Sequence, residues 1–491
     1  MTTPESGARD SSASGPPDVE RISSRRILGL VVPALGVLAA EPLYLLYDAA
    51  IVERTGELSL AGLAVGGLIA AQVSTQLTFL TYGTTARAAR WHGAGRRRDA
   101  VIEGVQATWL AVVIGILLVG LIQLVADPVT RALGGAEIGP PAAEWLRVAA
   151  LGIPMILLSL AGNGWMRGVQ SVRAPMAFVV VGFSVSAVLC PMLVHGWGGA
   201  PELGLVGSAY ANVIGQTLTA LMFVVALLRE RVSLRPAPAI IRAQLTMGRD
   251  LILRTLAFQA CFLSATAVAS RYGAASVGAH QLVLHIWTLT ALLLDSVAVA
   301  AQTLVGAALG AGDRRAARAL AGRLTRWSVV FAIVMAGLYL LGRDPILGLL
   351  ASNGDVREQM ASVWWLFVVI VPVAGVVFAL DGVLLGAGDA KYLRTATLLS
   401  AIVGFLPIIW LSAIFGWGLP GIWTGLVMFV LIRAITVVTR VRGGRWLRVG
   451  TPGTPTADSA VGEQPTAAAP AEASTDTVRR AAEDRREDER A

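Results

Sequence analysis

The sequence is short of charge. Of its 491 residues 55% are hydrophobic, and only 15% are Asp, Glu, Lys or Arg. A soluble domain of this length rarely has so few charges. Cysteine is nearly missing too. Cys190 and Cys261 are the only two, both inside apolar runs, with neither a disulfide framework nor metal-ligand spacing. They read as buried, inert thiols. His280 and His285, five residues apart, share no helical face and lack zinc-site spacing, so they read as packing or hydrogen-bonding groups. No set of catalytic residues suited to an intramembrane enzyme is found. The chain is read as a non-enzyme without a cofactor or metal. A cleavable signal is not expected, because residues 1–20 are polar and the first apolar run is too long.

What the sequence does have is apolar runs of about 20 residues, the length a helix needs to cross about 30 Å of hydrocarbon. They are too long for barrel strands. The spans are expected near 27–52, 60–84, 103–126, 146–166, 175–196, 203–228, 250–270, 277–308, 327–349, 362–386, 395–416 and 418–439. This makes an all-α polytopic membrane protein with twelve transmembrane helices. The net charge of +8 does not imply nucleic acid, because the arginines lie in short loops. "RISSRR" precedes the first span, and "RAARWHGAGRRR", "RERVSLRPAPAIIR" and "GDRRAARALAGRLTR" follow even-numbered ones. The other loops are poor in arginine, which places both termini in the cytoplasm of a multi-pass protein of the cytoplasmic membrane. Residues 1–25 and 441–491 are expected to be disordered tails.

The two halves repeat at a nearly constant displacement. "RTGELSLAG" at Arg54 parallels "RYGAASVGA" at Arg271, and "HGAGRRRDA" at His92 parallels "LGAGDRRAA" at Leu309. Pro154 falls opposite Pro372, and Asn163 opposite Asp381. Six spans is an even number, so the halves run parallel in the membrane. An N-lobe (26–228) and a C-lobe (250–440), joined by a basic cytoplasmic linker (229–249), leave a cleft that rocking exposes to each side in turn. This is the plan of a secondary transporter for small molecules, with the lipid bilayer as its solvent, and it is expected to be a monomer.

"AEPLYLLYDAAIVERTG", "SVGAHQLVLHIW", "LDSVAVAAQTLVGAALGAGDRRAA" and "LDGVLLGAGDAKYLR" together resemble the multidrug and toxic compound extrusion (MATE) transporters, in their DinF-type branch. The resemblance covers roughly residues 26–440. It implies two parallel-repeat six-helix lobes around a V-shaped central cleft. It also implies antiport of organic, often cationic compounds against protons or sodium.

Four acids fall within or at the ends of spans: Glu41, Asp48, Asp295 and Asp381. A carboxylate at mid-bilayer costs about 2.5–3.5 kcal/mol on insertion scales, so such residues usually face a cavity. Glu41 and Asp48 lie two helical turns apart on nearly one face, with Tyr44 between them and Tyr47 adjacent. Pro42 loosens the helix there. In the resembled family a first-helix aspartate couples to protons, and Asp48 holds that place. A paired, structural Asp48 is the alternative. The repeat puts Ala265 or Thr266 opposite Asp48, so the acid is present in one half only. The family's fifth-helix aspartate is absent, and Cys190 stands there, with Ser186 in place of a frequent asparagine. Asp48 is therefore expected to work with Glu41, or with Tyr44, Gln72, Gln76 and Asn212. The seventh span has no acid beyond Asp250, which favours protons over sodium. Asp295 and Gln302 share a face of the eighth span, and Asp295 either lines the C-lobe cavity or pairs with Arg254. Asp381 and its counterpart Asn163 are assigned packing or gating near the cytoplasmic mouth, with substrate contact as the alternative. Arginine largely confined to loops speaks against a second reading, a flippase of lipid-linked intermediates.

Overall fold

The computed structural model describes residues 24–453. Both expected tails lie outside the described residues, apart from 24–25 and 441–453. The N-terminal half holds α1 (Ser24–Glu53), α2 (Glu57–Leu77), α3 (Phe79–Gly93), α4 (Arg97–Ala150), α5 (Ile153–Gly168), α6 (Arg173–His195) and α7 (Gly204–Arg229). The C-terminal half holds α8 (Pro238–Ala269), α9 (Ala274–Gly310), α10 (Arg314–Leu341), α11 (Arg343–Leu350), α12 (Gly354–Gly386), α13 (Ala390–Leu399), α14 (Leu406–Phe415) and α15 (Gly418–Arg442). A π-helical stretch, Ser400–Phe405, joins α13 to α14.

Among the described residues, eleven helical runs are long and apolar enough to cross a membrane. One of them counts twice. α4, at 54 residues, would be about 80 Å long if straight, but Gly135 breaks it with φ 72° and ψ −164°. Only glycine takes that conformation without strain. The chain turns there, and the remainder of α4 joins α5 through a short break at residues 151–152 to make the fourth of twelve passes. Large apolar side chains such as Leu124, Leu341 and Leu349 are at least 80% exposed, as lipid-facing residues are.

The second span is two helices, α2 and α3, meeting at Thr78, whereas its repeat partner α9 is unbroken. The linker is shorter than expected, because helix resumes at Pro238. The C-terminal tail begins later than expected. Trp446 is 2% exposed, Leu447 is buried, and the Gly450 amide donates to the Leu309 carbonyl at 3.0 Å. Residues 441–450 are thus a packed segment, held by an aromatic anchor that the arginine-rich composition hides.

Helices pack mainly within their own half, α6 on α7 and α2 on α4 in one, α9 on α12 and α12 on α15 in the other. The halves meet chiefly through α3 against α9. A Cβ on Gly93 would lie 1.9 Å from the Ala307 carbonyl oxygen, and one on Gly310 would lie 1.9 Å from that of Arg90. Backbone touches backbone there, at the end of the molecule that carries the basic loops. Ile27, Leu30, Leu304, Leu309 and Trp446 belong to one apolar cluster spanning both halves at that end. A second cluster, around Val283, Phe367 and Trp423, lies wholly in the C-terminal half. The halves are joined at the basic face.

Candidate functional site

The acids inside the spans gather around a cavity within the N-terminal half and a larger one walled mainly by the C-terminal half, with Thr75, Thr78, Phe79 and Tyr82 of the N-terminal half completing its wall. The N-terminal cavity has about 80 Å³ and is lined by Glu41, Asp48, Ser74, Asn212 and Gln216 among apolar neighbours. No basic residue is among its lining residues. Two turns of α1 bring Glu41 and Asp48 to the same wall, as their spacing predicted. Glu41 is exposed, whereas Asp48 is 2% exposed. The Cys190 thiol lies 3.1 Å from Asp48 Oδ1 and donates to it. Thiols are weak donors, so the carboxylate keeps most of its hydrogen-bonding capacity free. Cys190, which stands where the resembled family has its fifth-helix aspartate, is the direct neighbour of Asp48, although it does not line the cavity itself.

Tyr44 is buried between the two acids in sequence and packs on Phe183 at 5.3 Å between ring centres. Its hydroxyl is buried without a hydrogen-bond partner among the described residues, and Tyr44 does not line the cavity. Tyr47 points away, donating to the Ala187 carbonyl at 3.0 Å. Gln72 is exposed and Gln76 half-buried, and neither lines the cavity. Asn163 is buried on α5, also outside it.

The C-terminal cavity is larger, about 460 Å³, and is walled by Phe258, Phe262, Trp287, Phe378 and Phe429. Four charged residues line it: Arg254, Asp295, Asp381 and Arg433. Arg254 Nη2 donates to Asp381 Oδ2 at 2.8 Å. Arg433, buried on α15, donates to the same oxygen and to the Thr397 hydroxyl. Asp295 accepts from the Tyr82 hydroxyl at 2.8 Å, and Gln302 Nε2 donates to the Tyr82 carbonyl at 2.7 Å. Tyr82 belongs to α3, so both bonds cross between the halves.

Asp295 takes the first of its two expected places and lines the cavity, whereas the expected pairing with Arg254 is corrected, because the partner of that guanidinium is Asp381. Asp381, a candidate for the cavity lining, stands in the same wall. Arginine is not confined to loops: Arg254 and Arg433 line the cavity, and Arg167 is 4% exposed on α5. Arg433 was overlooked because it stands alone among the apolar residues of α15. The repeat could have revealed it. At the displacement that pairs Asn163 with Asp381, Arg254 and Arg433 face Gly36 and Gly215. The half with the arginines has the aspartate, and the half without them has a neutral asparagine. Of the histidines, His280 packs edge-on against Trp423 and His285 bonds the Gln281 carbonyl. Among the described residues, no group of His, Cys, Asp and Glu is arranged to hold a metal ion.

A protein-family model, MatE, matches residues 33–192 and again 251–410. The chain is 29% identical to DNA damage-inducible protein F of Escherichia coli K12, over 86% of this chain and 94% of that one. It is also 29% identical to Protein DETOXIFICATION 44, chloroplastic, of Arabidopsis thaliana, over 86% and 83% of the two chains. Among solved structures, one described as MATE in the bent conformation superposes with a TM-score of 0.80 at 21% identity, covering 85% of this chain and 94% of its own. Another, described as the outward-facing conformation of a multidrug resistance MATE family transporter, gives 0.78 at 20% identity, over 86% and 96%. At those identities the structures speak for the twelve-helix fold.

Proposed function

The chain belongs to the MatE family of multidrug and toxic compound efflux transporters, and from that premise we propose that it is a proton-coupled antiporter whose coupling group is the Asp48 carboxyl. It is a multi-pass membrane protein acting on small organic substrates, and no enzyme. In the proposed cycle it exports small amphiphilic compounds, cations among them, from the cytoplasm. It works as a monomer in the cytoplasmic membrane with both termini inside. The N-lobe (26–228) and C-lobe (250–440) rock against each other.

The observation that carries this reading is the N-terminal cavity. Its charged lining residues are two carboxyls with no basic residue among them, one exposed and one buried. An unpaired buried carboxyl is costly as an anion and cheap as an acid, so it exchanges protons whenever water reaches it. The cavity admits a few waters and no drug-sized molecule in this facing. Glu41, at its exposed edge, relays protons to Asp48, and Asn212 and Gln216, which line the same cavity, hold the water. A proton entering down 100 mV supplies about 2.3 kcal/mol, and each pH unit about 1.4. One proton per cargo therefore sustains gradients of tenfold or more. No sodium site is needed: Asp381, the acid nearest to such a role, is already shared by two guanidinium groups.

Purified protein in liposomes, loaded with a cationic dye and given a pH gradient or a sodium gradient alone, tests this. The pH gradient drives dye movement and sodium at zero pH gradient does not. Sodium-driven transport would refute the proton assignment. The flippase reading gains one point, arginine in a cavity, but two guanidinium groups balanced by two carboxylates do not make the strongly cationic chamber that a polyanionic lipid carrier needs.

A further inference from the structure

We propose that the C-terminal cavity is a binding site for aromatic amphiphiles whose head group is a carboxylate with an adjacent N–H or O–H donor, and that Arg254 is its carboxylate receptor. This goes beyond the Asp48 reading and does not depend on it.

The charge cluster is unevenly paired. One carboxylate oxygen, Asp381 Oδ2, receives both Arg254 and Arg433. Arg433 is committed, because its other terminal nitrogen is bonded to Thr397 and its side chain is 2% exposed. Arg254 is not committed. A guanidinium has five N–H donors, yet among the described residues the single hydrogen bond found for Arg254 is the one to Asp381. Its Nε is buried without a partner, and its side chain is 17% exposed in a residue that lines the cavity. The other carboxylate oxygen, Asp381 Oδ1, is also buried without a partner. Buried polar atoms are rarely left unpaired unless something else completes them.

An unfilled cationic donor next to an unfilled anionic acceptor describes the complement of one head group. A carboxylate fits the planar fork of Arg254, and an adjacent N–H or O–H fits the Asp381 side chain, which lines the same cavity beside it. The other acid of the wall, Asp295, accepts from Tyr82 through Oδ2. Formal charge over the four lining residues is zero, so the cavity does not concentrate simple cations. The walls supply the rest. Phe258, Phe262, Trp287, Phe378 and Phe429 surround about 460 Å³, which suits a fused aromatic ring system. Phe258 lies beneath both guanidinium groups, 5.8 Å from Arg254 and 4.9 Å from Arg433, and holds them in place from the apolar side.

Calorimetry on the purified protein in detergent, with 3-(2-naphthyl)alanine, its N-acetyl derivative and its methyl ester, tests the proposal. The three share one ring system, and only the ester lacks the carboxylate. Wild type binds the two acids at least tenfold more tightly than the ester. Arg254→Gln erases the preference, and Arg254→Lys, which keeps the charge without the fork, retains part of it. An ester that binds wild type as well as the acids do would overturn the proposal, as would no binding by any of the three. A folded Arg254→Gln protein that keeps the full preference would overturn it too. If Arg254→Gln does not fold, the comparison of acid with ester on wild type and Arg254→Lys decides.

Discussion

The Tyr82 hydroxyl and the Asp295 carboxylate, 2.8 Å apart, hydrogen-bond across the boundary between the two halves. Gln302 reinforces the contact from the C-terminal half. A half-buried donor to a charged acceptor contributes about 1.5–3 kcal/mol, and here it acts only while the basic face is closed. Tyr82→Phe therefore favours opening. A cysteine placed at Ala307, in the backbone contact with Gly93, will react with a soluble maleimide about tenfold faster in the Tyr82→Phe background. An unchanged rate would mean that the bond does not hold the halves together.

The closed face also depends on glycine. A Cβ at Gly310 would stand 1.9 Å from a backbone oxygen of Arg90, whereas one at Gly322 would meet nothing within 4 Å. Gly310→Val will lengthen spin-label distances across the basic face, and Gly322→Val will leave them unchanged. Equal distances in both variants would show that the approach is not limiting.

Arg433 is the most deeply buried member of the charge cluster, 2% exposed beside a buried Asp381. Removing one partner of a buried pair costs about 3–5 kcal/mol, because the other charge is left without compensation. Arg433→Met will melt well below wild type, and adding Asp381→Asn to it will recover much of the loss. A single variant as stable as wild type would mean that the cluster is hydrated and energetically minor.

Trp446 anchors the segment beyond α15, 2% exposed, with its Nε1 donating to the Val441 carbonyl at 2.9 Å. The Arg448 carbonyl accepts from Arg90 on α3, so this segment reaches from one half to the other. Trp446→Ala should cost about 3–5 kcal/mol, read as a lowered melting temperature. A surface tail would show no change.

The spans, their duplication and the Glu41–Asp48 wall were legible because each rests on a period: about 20 apolar residues, a fixed displacement, two helical turns. What stayed hidden depends on contacts between distant residues. Nothing local in α1 says that Cys190 on α6 will touch Asp48. The pairing of Arg254 with Asp381 needed the relative rotation of α8 and α12, which a span list does not contain. Arg433 is a single charge in a long apolar helix, invisible to composition. Gly135 reads as one more glycine in a loop-like stretch until its positive φ turns α4 into two passes.

The account stands or falls with the Asp48 proton. The most direct measurement is proton release into weakly buffered detergent solution when a cationic dye binds the purified protein. Wild type will acidify the solution on dye addition, and Asp48→Asn will bind dye with no acidification. Equal proton release by folded Asp48→Asn protein would contradict the account, because the proton would then come from another group.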